Sequence, residues 1–171
     1  MTLFMVFGAI GLCLFYFQNL ALLPYVHLRL LTLLVFYVSL RPSFPLAFWL
    51  AVTLGLLQDS FALTPLGFHI NGALIIVAVG RYVRRRFLIT SGGTQFLASL
   101  AALILQEVGL RLTLLVSGYR PFLWDSLSAL HGVEILATAL LAPLLFSLLG
   151  LVERGLVRRW PSAGTADLRL R

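Results

Sequence analysis

The chain has no lysine, a single cysteine and only six acidic residues, and each shortage narrows what it can be. A lone Cys13 has no partner for an intrachain disulfide and cannot build a thiolate metal cluster. There is no phosphate-binding glycine loop closed by Lys-Ser or Lys-Thr, no HExxH, no nucleophile elbow and no CxxC. The three histidines, His27, His69 and His131, lack metal-ligand spacing, and no serine carries its own base and oxyanion donors. The expectation is a noncatalytic chain with no cofactor or metal site. Charge is scarce as well: 11% of residues are Asp, Glu, Lys or Arg, against about 25% in soluble proteins.

What is abundant is apolar surface, at 60% of 171 residues, more than a water-soluble core can absorb. A bilayer-spanning helix needs roughly 20 mostly apolar residues, and lipid tolerates only backbone whose polar groups are satisfied internally. Strand alternation is absent, so the predicted class is an all-α membrane protein, a six-transmembrane-helix bundle. The predicted spans are 3–22, 24–40, 44–63, 66–83, 94–116 and 127–152, in one polytopic domain over residues 1–160. Proline and glycine mark the joints at Pro24, Arg41-Pro42, Pro45, Thr64-Pro65-Leu66-Gly67, Ser91-Gly92-Gly93 and Gly118 with Pro121. The second span crosses only if Arg29 snorkels toward headgroups; a re-entrant segment is the alternative. The apolar run from Leu3 to Leu23 lacks a basic leader and a small-x-small cleavage site, so it is expected to stay in the mature protein. Residues 161–171 read as a polar, disordered tail.

All thirteen basic side chains are arginine, giving a formal charge of +7. Because they flank apolar runs, anionic lipid headgroups and topology account for them better than nucleic acid. On the six-span scheme one side collects Arg41, Arg81, Arg84, Arg85, Arg86, Arg154, Arg158, Arg159, Arg169 and Arg171, and the other has Arg29 and Arg120. Both termini are therefore expected in the cytoplasm; a five-span scheme moves only the N-terminus out. Arg81, Arg84, Arg85, Arg86, Arg154, Arg158 and Arg159 read as a cytoplasmic basic anchor, with a headgroup or cytoplasmic partner site as the sharper alternative for Arg84-Arg85-Arg86. Tyr119, Phe122, Trp124 and Trp160 fall at predicted interfaces, where such rings are favoured.

Ionisable residues inside a bilayer are costly enough to be informative. The spans contain Asp59, Glu107, Arg111 and Glu134, with His69, Asn71, Gln106 and His131 as polar neighbours. At about 1.5 Å per residue they fall in the outer half of the predicted spans, with Glu107 about 14 Å from the outer end of the fifth. Glu107 and Arg111 are placed to pair on one helix, and His131 and Glu134 share a face. These residues are candidates for an interhelical packing network, an outward-facing solute pocket or a docking surface. Ala47, Ala51 and Gly55 form a small-residue stripe where another helix can approach closely, and Ser91, Gln95 and Ser99 form a weaker polar one.

The run Leu40-Arg41-Pro42, then Gly55-Leu56-Leu57-Gln58-Asp59, then Pro65-Leu66-Gly67 resembles the central pattern of the rod shape-determining protein MreD family. Length, span count and short loops resemble that family over nearly the whole chain, the specific pattern over its middle. The resemblance implies a noncatalytic component of the bacterial cytoplasmic (inner) membrane, acting in cell elongation. Its implied partners are an MreC-like bitopic membrane protein, with RodA, a class B penicillin-binding protein and the MreB filament alongside. Arg41, Pro42, Gly55, Asp59, Pro65 and Gly67 carry over by position only. The family is also similar in fold to the S-components of energy-coupling-factor vitamin transporters, so a substrate-binding subunit is the second implied function. Against it, the first span has Gly8, Ala9, Gly11 and Ala21 but no small pair four residues apart, and the predicted external loops are short.

Overall fold

The computed structural model describes residues 2–20, 28–62, 66–87, 91–116 and 129–159, and among them the regular structure is helical. The helices are α1 (Thr2–Leu20), α2 (Leu30–Ser39), α3 (Phe44–Phe61), α4 (Phe68–Arg86), α5 (Gly92–Val116) and α6 (Ala129–Arg159). Three stretches, Phe44–Phe61, Gly92–Val116 and Gly132–Gly155, are long and apolar enough to cross a membrane; the apolar helices at Leu3–Asn19 and Leu30–Ser39 are shorter.

Local chemistry explains where the helices stop. After α2 the Leu40 N–H closes onto the carbonyls of Phe36 and Tyr37, and Pro42 then has no N–H with which to continue. Pro45 sits in the first turn of α3, where a missing N–H is harmless. Gly67 precedes α4 at φ +94°, a left-handed conformation that glycine adopts without a Cβ penalty. The α4 helix runs on to Arg86, three residues past the predicted span, because arginines in a last turn complement the helix dipole. Pro143 lies inside α6 without ending it.

Among the described residues the second apolar segment is helical from Leu30, with Leu28 and Arg29 outside the helix and the start of the predicted span, 24–27, outside the described residues. Its ten residues rise about 15 Å, half of a hydrocarbon core about 30 Å thick. Nine of those residues are buried, so α2 is apolar and covered all round, as a central helix must be. It touches each of the other five helices. Around it α3, α4, α5 and α6 pack each on the next, and α1 lies on α2 and α3.

Missing side chains permit the closest crossings. A Cβ on Gly80 of α4 would lie 1.7 Å from Ser39 Oγ of α2, and one on Gly11 of α1 would lie 2.7 Å from a Leu54 methyl. Away from this core, Trp49 and Leu56 of α3, Leu97, Ile104, Leu105 and Leu112 of α5, and Leu140, Leu144, Leu148 and Leu151 of α6 are exposed. Large apolar side chains exposed in such numbers suit a hydrocarbon solvent.

Candidate functional site

The motif residues of α3 and α4 meet at one hairpin. Gly55 and Asp59 share a face of α3, and a Cβ on Gly55 would come within 2.7 Å of Ile70 Cα, so these two backbones approach as closely as glycine allows. That approach carries the Asp59 carboxylate onto the start of α4. Asp59 Oδ2 accepts the Gly67 N–H at 2.8 Å, and Oδ1 accepts the His69 N–H at 2.8 Å and faces His69 Nδ1 at 2.9 Å. The first N–H groups of a helix have no partner within it, and here a buried carboxylate from the preceding helix supplies one. Gly67 provides the backbone turn that aims those groups at the acid. Ala47 and Ala51 continue the Gly55–Asp59 stripe and are fully buried, so the stripe serves internal packing. Pro65 lies outside the described residues.

A second cluster centres on Glu107 of α5. Its Oε1 accepts from Arg111 Nε at 3.2 Å and Nη2 at 3.1 Å, and its Oε2 pairs with Arg29 Nη1 at 2.9 Å. The pairing of Glu107 with Arg111 is as their spacing predicts. Arg29 is the residue that spacing could not supply. It is anchored through its backbone as well, because its N–H donates to Thr138 Oγ1 of α6 at 3.3 Å, and that hydroxyl donates to the Glu134 carbonyl at 2.6 Å. Arg29 therefore joins the entry of α2 to both α5 and α6. Glu134 is half-buried on α6; the His131 side chain, and with it the predicted His131–Glu134 pair, lies outside the described residues. Nearby, Asn71 Nδ2 of α4 donates to Thr113 Oγ1 of α5 at 2.7 Å.

Two polar groups of α5 are less well served. Ser99 and Gln106 are buried on it, and Ser99 Oγ and Gln106 Oε1 make no hydrogen bond among the described residues. Gln106 faces the bare backbone of Gly72, where a Cβ would lie 3.1 Å from its Nε2.

The third cluster lies where α2 turns into α3 beside the C-terminal part of α6. Glu153 binds the Arg41 guanidinium through both oxygens and accepts the Tyr37 hydroxyl at 2.9 Å, while Arg41 also donates to that hydroxyl and lies over the Tyr37 ring. Arg81 of α4 donates to the carbonyls of Arg41 and Pro42 at 2.9 and 3.0 Å, and its guanidinium lies 5.4 Å from the centre of the Phe44 ring. Arg41 and Pro42 are thus the point where α2, α4 and α6 are tied together. Arg81, read from sequence as part of the basic anchor, is a staple of this turn. Arg84, Arg85, Arg86 and Arg154 are exposed; the side chains of Arg158 and Arg159 lie outside the described residues, as do Tyr119, Arg120, Phe122, Trp124, Trp160 and the tail over 161–171.

Sequence reading missed Glu153 and Tyr37. An acid immediately after the predicted sixth span was the available signal for Glu153, and Tyr37 stands one helical turn before Arg41. Asp59 and Glu153 each engage both carboxylate oxygens in joining one helix to another, and Glu107 does so through Oε2 while Oε1 stays with Arg111 of its own helix. Among the described residues no group of three or more His, Cys, Asp or Glu could hold a metal ion.

Comparison with protein-family models, curated proteins and solved structures finds no match.

Proposed function

We propose that the chain is a noncatalytic, multi-pass scaffold of the bacterial cytoplasmic membrane, similar to MreD, that holds the transmembrane helix of an MreC-like partner for the cell-elongation machinery. The observation that carries the reading is the use made of the polar residues. Asp59, Glu107 and Glu153, with their arginine and backbone partners, cross-link helices within the bundle, while the outward faces of α5 and α6 are runs of exposed leucine and isoleucine. A rigid bundle with apolar outer faces suits a subunit whose work is to present surface to other helices. The pattern that resembles the family's gains a physical role on this reading, because Gly55, Asp59 and Gly67 form the α3–α4 hairpin as a unit. In the proposed topology six segments traverse or enter the bilayer and both termini are cytoplasmic, with the buried α2 as a short central segment.

Co-expression with an MreC-like bitopic protein and purification in mild detergent tests the proposal. A stable complex that survives size exclusion is the expected result. A monodisperse chain that never retains that partner, yet gains thermal stability on addition of a vitamin, would replace the scaffold with an S-component-like binding subunit.

A further inference from the structure

The arginines at the C-terminal ends of α2, α4 and α6 divide into two classes. Arg41 and Arg81 are held inside the fold, the first by Glu153 and Tyr37 and the second by the carbonyls of Arg41 and Pro42. These contacts run from α4 through the α2–α3 turn to α6, so Arg84, Arg85 and Arg86 lie at the same end of the bundle as Arg154, on helices separated by α2 and α5. Those four are exposed, and among the described residues no acid pairs with them, since Glu153 is taken by Arg41. Arginines exposed with no acid beside them favour anions at that end of the bundle, and the planar guanidinium fork matches phosphate oxygens.

The surface beside them indicates what carries the phosphate. Leu140, Leu144, Leu148 and Leu151 are exposed and recur at helical spacing along one face of α6, and Arg154 continues that face. From Leu140 to Arg154 the face runs about 21 Å, long enough to hold an acyl chain of one leaflet beneath its headgroup. On α4 the exposed Tyr82 and Phe87 flank the arginines, as rings do at headgroup level. A soluble anion or a nucleic acid would use the arginines and leave the leucine face idle; a phospholipid uses both.

We propose that Arg84, Arg85, Arg86 and Arg154 bind the phosphate headgroups of anionic phospholipid, with acyl chain laid along the Leu140–Leu151 face of α6. The inference rests on the chain residing in a bilayer. It assigns Arg41 and Arg81 no part in lipid selection.

The test is lipid retention in nanodiscs of equal phosphatidylglycerol and phosphatidylcholine, read by native mass spectrometry of the released protein. Wild type should retain phosphatidylglycerol in excess, each arginine near the anionic headgroups favouring it by about fivefold. The variant R84Q/R85Q/R86Q/R154Q should retain the two lipids near their bulk ratio. Arg81→Gln should lower the melting temperature and leave the lipid ratio unchanged. Equal retention by wild type, an unchanged ratio in the quadruple variant, or a ratio moved as far by Arg81→Gln would each overturn the assignment. So would displacement of the bound lipid by millimolar inorganic phosphate, which would mark a simple anion site. A carbonate wash separates the premises: a chain that stays in the membrane but shows no preference removes the headgroup site alone, and a chain that is released removes the membrane reading too.

Discussion

Asp59 Oδ1 accepts the backbone N–H of His69 at 2.8 Å, so the acid that ends one apolar helix serves as the N-terminal cap of the next. Helix caps normally come from the residue just before the first turn; α4 has Gly67 there, which offers no side chain. The cap has been moved to the preceding helix, and this couples the formation of α4 to its packing on α3.

Replacing Asp59 by Ala should therefore cost more than an ordinary cap, roughly 3 kcal/mol, because buried N–H groups lose a charged acceptor. Asp59→Asn should recover part of the loss by keeping one oxygen, and His69→Ala should cost less than either, since the backbone bonds remain. Thermal unfolding in detergent ranks the three; a mild Asp59→Ala would show that α4 does not depend on this carboxylate.

Glu107 lies between two arginines, and this sets an order among the variants around it. Glu107→Gln removes the carboxylate that Arg29 and Arg111 share and should destabilise by roughly 2 kcal/mol or more, as removal of one member of a part-buried ion pair does. Arg111→Leu should cost less, because Arg29 still neutralises Glu107. Adding Arg111→Leu to Glu107→Gln should not restore the wild-type level, because Arg29 stays unpaired. Had Glu107 and Arg111 formed an isolated pair, the double change would be milder than either single one; unfolding midpoints of the three variants distinguish these patterns.

How much of this was legible in the sequence depends on chain separation. The Glu107–Arg111 pair is written in its spacing on one helix. Arg29 is not, because its partner comes from α5 far along the chain, and the segment entering α2 reads as a marginal span with a stray charge. Gly55 is visible as a small residue on a small-residue stripe, but only the α3–α4 crossing reveals that its missing Cβ makes room for Ile70 and delivers Asp59 to α4. Arg81 sits beside three more arginines and shares their sequence signature, yet the Arg41 and Pro42 carbonyls separate it from them. Burial of α2 on all sides was likewise hidden, since an apolar run reads alike whether lipid or protein covers it.

Arg41 and Glu153 join the α2–α3 turn to α6, and Tyr37 completes the set. Arg41→Gln and Glu153→Gln should each destabilise, and a double-mutant cycle should return a coupling of about 1–3 kcal/mol, the range for residues in one network. Tyr37→Phe should be milder, because it removes one hydroxyl and leaves the ion pair. A coupling near zero would mean that the two charges are solvated separately.

The tightest contact at a glycine gives the sharpest steric prediction. A methyl group at residue 80 would occupy the space of Ser39 Oγ, 1.7 Å away, in the heart of the α2–α4 contact. Gly80→Ala should therefore destabilise by about 1–3 kcal/mol, the usual cost of overpacking. The hydroxyl is the main obstruction, with Ser39 Cβ farther off at 2.8 Å, so Ser39→Ala in the same chain should return part of the lost stability. Ser39→Ala alone should cost little, because among the described residues Ser39 Oγ donates to the Phe36 carbonyl of its own helix, at 2.6 Å. The measurement is the melting temperature of the two single variants and the double. Partial rescue ties α2 to α4 at this point, and a double variant as unstable as Gly80→Ala would mean that the Ser39 backbone, and not its hydroxyl, sets the limit of approach.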